Sequence, residues 1–272
     1  MNAEFPDLAA LAARLRAAGC VFAEEEAALL LAEAVERAEA EGAADRAPAI
    51  LTGMLERRIA GEPLEHVLGW VEFAGRRVAV APGVFVPRRR TELLVEVAAG
   101  LVVPGDEVLD LCCGCGAIGA ALVAAVPGLR LTASDIEPAA VAIARRNLPG
   151  ARVVEGDFLD AVPAGLRGRL ALIVGNAPYV PTDAIAFMPS EARDHEPRRA
   201  LDGGPDGLDW HRRLAREAGD WLAPGGSVVV ESGEDQAEVS AAAFAAAGAA
   251  TRIFRDDERD ATAVVASWPA RG

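Results

Sequence analysis

Val108-Leu109-Asp110-Leu111 runs without a break into Cys112-Cys113-Gly114-Cys115-Gly116-Ala117-Ile118-Gly119, and this stretch decides the fold. The short apolar run reads as a buried strand, and Ala117 to Val126 reads as a helix. Between them, glycines permit a sharp strand-to-helix turn and let a ligand approach the backbone closely. Gly114, Gly116 and Gly119 fit the pattern G-x-G-x-x-G, and Asp135 ends the next strand about twenty residues on, where an acid can accept bonds from both ribose hydroxyls. On this loop alone, adenosine-containing cofactors in general fit, NAD as well as S-adenosylmethionine.

The same alternation continues downstream. Further strands are expected at Leu129 to Ala133, Arg152 to Val154, Leu170 to Val174 and Ser227 to Glu231, beside the first at Glu107 to Leu111. Helices are expected through Val141 and Ala144, from Gly207 to Leu222 and from Gln236 to Ala247, and two β runs follow at Thr251 to Phe254 and Thr262 to Ser267. Such β-α alternation implies an α/β fold, a parallel sheet covered on both faces with ligands beyond the carboxyl ends of its strands. Upstream the spacing changes. Leu8, Leu11 and Leu15, then Ala28, Leu31, Ala32 and Val35, recur at helical intervals, and a helix through Ile50, Met54, Leu55 and Ile59 stops near Gly61-Glu62-Pro63. From Val71 to Val86 the pattern is that of a short β-hairpin. The expected organisation is a helical domain over 1–70, a hairpin linker over 71–90 and a catalytic domain over 91–272.

Composition narrows the function. The net charge is −14, from 41 acidic and 27 basic residues, every basic one an arginine. Nucleic-acid binders normally carry a basic face, so a duplex or ribosomal RNA substrate is disfavoured despite the small cluster Arg88-Arg89-Arg90. No apolar run is long enough to cross a bilayer. Met1 to Leu11 lacks a basic patch followed by an apolar core, so the cytoplasm is the expected location. Cys112-Cys113-Gly114-Cys115 spells C-x-x-C, which would suit a redox pair or half a zinc site. No second cysteine or histidine pair lies at ligand spacing, so small apolar thiols in a tight turn are the simpler reading and no metal is expected.

Two features favour S-adenosylmethionine over NAD. Asp110 sits where it could meet a sulfonium and an amino group. The third strand ends in Glu155-Gly156-Asp157-Phe158, an acceptor and a ring for the edge and face of an adenine. The fourth strand ends in Gly175-Asn176-Ala177-Pro178-Tyr179. An amide nitrogen is a poor nucleophile because its lone pair is delocalised, so both N–H bonds must be held while the lone pair faces the methyl group. The Asn176 side-chain oxygen and the Ala177 carbonyl supply two acceptors, Pro178 keeps the chain extended and offers no competing N–H, and Tyr179 can lie flat against a planar group. Of the histidines, His66, His195 and His211, no two have metal-site spacing; structural roles are expected. Arg193 to Arg199 reads as a solvated loop near the site, and Trp210 and Trp221 as core or interface anchors.

At these residues the chain resembles the HemK/PrmC family, the protein-(glutamine-N5) methyltransferases acting on peptide chain release factors. The likeness extends from Arg57-Arg58-Ile59-Ala60-Gly61-Glu62-Pro63 through Phe85-Val86-Pro87-Arg88 and Thr91-Glu92 to Glu196-Pro197, Gly203 to Leu208, Glu231 and Asp256 to Arg259. It implies a Rossmann-like class I fold, S-adenosylmethionine as cofactor and a release factor as protein substrate; the helical domain, which fits in kind but not in recognisable residues, reads equally as a substrate-recognition module or a structural cap. It places the cofactor loop on Cys112, Cys113, Gly114, Cys115 and Gly116, the ribose acid on Asp135 beside Ile136, and the adenine side on Phe158 beside Asp157. The substrate amide then falls to Asn176, Ala177, Pro178 and Tyr179. Three positions depart from the family pattern: Ala177 replaces the first proline of Asn-Pro-Pro-Tyr, Cys112 the first glycine of the loop, and Arg89-Arg90 the usual proline and acid. Competing readings are methylation of a nucleobase or small-molecule nitrogen, a cofactor-binding protein without activity, and a NAD-dependent dehydrogenase, which leaves the tetrapeptide unexplained.

Overall fold

The computed structural model describes residues 7–270. Met1 to Pro6, on which part of the leader reading rests, and Arg271 and Gly272 lie outside them. The chain forms two compact units. One runs to Trp70 and takes in Pro189–His195; the other comprises Val71–Met188 and the chain from Glu196 onward.

The first unit is built on α1 (Leu8–Ala17), α2 (Ala23–Ala40), α3 (Ala47–Ile59) and α4 (Leu64–Leu68). Leu11, Leu15, Leu30, Leu51 and Leu55 are all but fully buried and form its centre. On α2 the buried stripe is Ala23, Ala27, Leu30, Ala34 and Ala38, not the expected Ala28, Leu31, Ala32 and Val35, of which Ala28 and Ala32 are exposed and Leu31 and Val35 only partly buried. The later helix α8 (Ser190–His195) belongs here, and buried Arg58 bonds Glu26 at 2.6 Å and Glu191 at 2.7 Å. A buried guanidinium is tolerated only with such partners.

The hairpin β1 (Trp70–Phe73) and β2 (Arg76–Ala79) begins at the last residue of the first unit's leading stretch and otherwise belongs to the second unit. Its turn, Ala74-Gly75, has φ of +49° and +68° at both central positions, the twist that two-residue hairpins favour. Asn147 ties β2 down, accepting from Ala79 N at 3.0 Å and donating to the carbonyls of Ala79 and Cys115 at 2.9 and 2.8 Å. After α5 (Glu92–Ala99) the alternation runs β3 (Glu107–Leu111), α6 (Ala117–Ala125), β4 (Arg130–Asp135), α7 (Pro138–Asn147), β5 (Arg152–Glu155) and β6 (Leu170–Gly175). It continues with the short α9 (Arg198–Leu201), then α10 (Asp209–Glu217), β7 (Leu222–Glu231), α11 (Ala237–Ala246), β8 (Ala250–Asp256) and β9 (Ala261–Ser267).

The sheet order is β5-β4-β3-β6-β7-β9-β8, parallel from β5 through β7 with β9 antiparallel to its neighbours. Successive side chains face opposite sides. Val108, Leu172, Val174, Val229 and Val265 pack towards α5, α6 and α7, whereas Leu109, Leu111, Ile173, Val228, Val230 and Val264 pack towards α10 and α11. Burial on both faces explains the unbroken apolar runs. Strand order reverses between β3 and β6, and in parallel sheets the ligand crevice opens at that point.

Three elements differ from expectation. The helix expected to reach Leu222 stops at Glu217, because Leu170 N and Arg169 N both bond the Trp221 carbonyl at 3.1 Å and draw the chain into β7. The Arg193–Arg199 loop is instead the end of α8 and the start of α9. Helix α5, for which no element is expected from the spacing, buries Leu93, Leu94, Val95 and Ala98. No helix of the described residues is long and apolar enough to cross a membrane.

Candidate active site

The loop after β3 is shaped by left-handed backbone. Cys112, Gly114 and Gly116 have φ of +56°, +54° and +81°, and Gly116 opens α6. A β-carbon on Gly116 would stand 2.8 Å from Leu148, so glycine there lets the helix sit close to its neighbour. Asp110 is fully buried beneath the turn, and its Oδ2 accepts from Gly119 N at 2.9 Å. It caps the first turn of α6 from below and does not border the cavity, contrary to the expectation that it meets the cofactor. Its Oδ1 has no partner among the described residues, and burial pushes the carboxyl up to about 8.

Asp135, at the end of β4, does border the cavity, as do Ile136 and the loop from Cys112 to Cys115. Its oxygens accept from Gly114 N at 2.8 Å and Glu137 N at 2.9 Å, which fixes its orientation, and burial raises its pKa. The thiols are held protonated. Burial, reinforced by Asp110 and Asp135, pushes Cys115 up to about 12 and Cys112 and Cys113 well above the usual thiol range. Protonated thiols are poor nucleophiles, and the buried Cys113 and Cys115 pack with the core beneath α6.

Beyond β5, Phe158 has φ of +52° and stacks obliquely on Trp210, with ring centroids 5.3 Å apart. Arg213 lies 4.5 Å over the Phe158 ring and bonds Asp157 at 3.0 Å. Asp157 and Phe158 border the cavity, and so does Trp210, which the sequence reading placed in the core or an interface.

The fourth wall is the tetrapeptide. A β-carbon on Gly175 would lie 2.4 Å from the Leu111 carbonyl oxygen, so glycine here brings the ends of β3 and β6 together. Asn176 and Pro178 border the same cavity as the glycine loop. Asn176 Nδ2 donates to Thr91 Oγ1 at 3.2 Å, committing the nitrogen and leaving Oδ1 to accept. Ala177 is buried. Tyr179 departs from expectation: its side chain does not border the cavity, and its hydroxyl donates to Glu231 Oε1 at 2.8 Å.

What fastens this loop was not visible in the sequence. Gln236 Nε2 donates to the Tyr179 carbonyl at 2.9 Å. Val180 N bonds the Leu201 carbonyl and Gly203 N bonds the Val180 carbonyl, at 3.0 and 2.9 Å. Added β-carbons on Gly203 and Gly207 would lie 2.7 Å from the Pro178 oxygen and 2.2 Å from the Tyr179 oxygen. The only available signal was the glycine-rich run Gly203-Gly204-Pro205-Asp206-Gly207. Pro197, Arg199 and Ala200 border the cavity too, with Arg199 3.3 Å from Glu137. The histidines stay out of the cavity lining; His211 is buried on Ser240 and pushed down to about 4 by burial.

Residues 76–191 match the family described as Methyltransferase small domain, a span holding both the glycine loop and the tetrapeptide. The release factor glutamine methyltransferase of Geobacter sulfurreducens is 40% identical over 200 residues, 72% of this chain and 69% of that protein. The chain belongs to the release factor glutamine methyltransferase family. A 4-amino-L-phenylalanine/4-methylamino-L-phenylalanine methyltransferase of Streptomyces pristinaespiralis is 39% identical over 203 residues, covering 71% of this chain and 69% of the relative. Among solved structures, a methyltransferase from Pyrococcus furiosus superposes with a TM-score of 0.55 at 18% identity, over 72% of this chain and 90% of that one, a likeness of fold.

The residues fit the cofactor of this family, S-adenosylmethionine. Asp135 at the end of β4 and the rings of Phe158 and Trp210 border the cavity beside the glycine loop, an acceptor and aromatic faces of the kind a ribose and an adenine need.

Proposed function

We propose that this protein transfers a methyl group from S-adenosylmethionine to the side-chain amide nitrogen N5 of a glutamine in a peptide chain release factor. One observation carries the reading: Asn176 and Pro178 border the same cavity as Cys112 to Cys115, Asp135 and Phe158, so donor and amide sites share a space. Asp135 receives the ribose hydroxyls, and Phe158 with Trp210 flanks the adenine. The bound cofactor supplies an electrophilic methyl group on a positively charged sulfur. Asn176 Oδ1 and the Ala177 carbonyl accept the two N–H bonds of the glutamine amide, which turns its lone pair towards the methyl group. Alanine keeps the carbonyl that proline would present. Pro178 forms the apolar floor beneath the amide. Alignment in a water-poor site does most of the work, because the sulfur becomes neutral as the methyl moves and the positive charge passes to the attacking nitrogen. The product's extra proton leaves afterwards, so no base is needed before attack.

The helical unit is assigned to recognition of the polypeptide, and the cytoplasm to its place of work. The four cysteines, all free, suit a reducing compartment.

The test is transfer of radiolabelled methyl to purified release factor, run beside Asn176→Ala. Label on one glutamine, recovered as N5-methylglutamine after proteolysis and reduced at least about a hundredfold in the variant, is the expected result. Absence of transfer by a chain that binds the donor would sink the release-factor assignment. The Streptomyces pristinaespiralis relative gives a second reading, methylation of an aromatic amine of an amino acid. Free 4-amino-L-phenylalanine in the same assay separates the two.

A further inference from the structure

Tyr179 and Glu231 lie behind the clamp, and the transfer chemistry above uses neither side chain. Glu231 closes β7 and is 1% exposed; its Oε1 accepts from Tyr179 Oη at 2.8 Å and from Arg90 Nε at 3.3 Å. Its Oε2 has no partner among the described residues. The Arg90 guanidinium stands 6.0 Å from the centre of the Tyr179 ring, at the outer reach of a cation–π contact, and Asp260 adds a second negative charge facing it. A buried carboxylate is tolerated when its charge is compensated and its oxygens are bonded. Arg90 supplies the charge here.

Chain geometry gives the trio a purpose. Arg90 and Thr91 are consecutive. Thr91 holds Asn176 at one end of the tetrapeptide, and Arg90, through Glu231, holds Tyr179 at the other. One short turn, Arg89–Thr91, therefore grips both ends of the clamp.

We propose that Arg90, Glu231 and Tyr179 form a charge-balanced latch, with Glu231 the positioning residue that keeps the phenol out of the cavity and sets the angle of Asn176 and Pro178. It rests on the amide-clamp reading above. Glu231 acts through Tyr179 and touches no substrate. The latch ties the clamp to Arg90, one of the positions at which this chain departs from its family's pattern.

Tyr179 is the single tyrosine of the chain, so full-length protein labelled with ¹³Cζ-tyrosine gives one signal that reports the latch without any substrate. Replacing Glu231 by Gln keeps an acceptor of the same shape and removes the charge. In Glu231→Gln the signal moves and the backbone amides of Asn176, Ala177, Tyr179 and Val180 exchange faster; an unmoved signal with unchanged exchange overturns the latch. Methyl transfer supplies the second arm. Arg90→Met strands a buried carboxylate and lowers kcat roughly tenfold to a hundredfold, with donor affinity by calorimetry unchanged. The double variant Arg90→Met/Glu231→Gln, neutral again, regains most of that loss. Additive losses in the double variant would refute charge balance. Should the unaltered chain fail to methylate release factor while the tyrosine signal still answers to Glu231→Gln, the substrate assignment falls and the latch stands.

Discussion

The two walls of the cavity are built on different principles. The cofactor wall is local. Cys112 to Cys115 follow one another in sequence and border the cavity together, whereas Gly116, expected at the cofactor, opens α6 and does not border it; Asp135 lines the same wall from the end of the adjacent strand. The clamp wall is assembled from a distance: Thr91 orients Asn176, Glu231 holds the Tyr179 hydroxyl, Gln236 holds its carbonyl, and Gly203 and Gly207 make room for the backbone. A wall that binds a flexible cofactor tolerates a short turn. A wall that must aim a weakly nucleophilic nitrogen needs bracing from several sides, since small misplacements at a reacting centre are costly.

Paired glycine substitutions test that difference most severely. Gly207 has φ of +79°, and a β-carbon there would collide with the Tyr179 oxygen at 2.2 Å, so Gly207→Ala must shift the clamp backbone. Gly207 does not border the cofactor cavity. The expected outcome is a loss of kcat of roughly a hundredfold or more with donor affinity retained. Gly114→Ala is the mirror case. Its φ of +54° is strained for alanine, yet no protein atom lies within 4 Å of the added carbon, which sits in the cavity wall. Donor affinity should fall about tenfold, a single-group steric loss, while turnover at saturating donor is largely kept. Steady-state kinetics with both substrates varied reads both splits. The same split for both variants would mean that the walls are not independent.

The locality of each wall also explains what could be read from sequence. The alternation of strand and helix and the placing of Asp135 at the end of its strand follow from short-range pattern. So does the tetrapeptide, because it terminates a recognisable strand. The strand order and its switch point appear only in the sheet. Thr91, Gln236 and Glu231 carry no local signature; their roles exist only once the sheet brings β6, β7 and the turn before α5 together. Asp110 and Tyr179 were misjudged for one reason. Sequence fixes which residue ends a strand or enters a turn, but the side that its polar atom faces depends on what else needs a partner. Gly119 N claims Asp110, and buried Glu231 claims the tyrosine hydroxyl.

Asp110 offers a titration of the cofactor wall alone. Its folded carboxyl is pushed up to about 8 from an ordinary 3.8 by burial, so the folded state holds a proton that the unfolded chain releases. Stability from this group is therefore complete below about pH 4 and is lost progressively as pH rises towards 8. Asp110→Asn mimics the protonated form and still accepts from Gly119 N. Chemical denaturation from pH 4 to 9 should show the variant gaining on the unaltered protein with rising pH, by a few kcal/mol at the alkaline end. A constant difference across that range would mean that Asp110 is already ionised, with water reaching its second oxygen.

Cys112 offers the smallest effect and the cleanest question about this chain's divergence. It occupies the first loop position with φ of +56°, where a side chain costs roughly 1 kcal/mol relative to glycine, and it is only half-buried. Cys112→Gly removes that strain but loosens the unfolded chain and deletes a thiol that packs beside Leu111 and Phe158. Relief of a left-handed non-glycine residue should outweigh the added chain entropy, leaving the variant more stable by about 0.5–1 kcal/mol. Because the thiol is small and protonated, donor affinity should change by less than about threefold, below 1 kcal/mol. A large drop in affinity on removing the thiol would instead make Cys112 a contact to the donor, and the departure from glycine at this position a functional one.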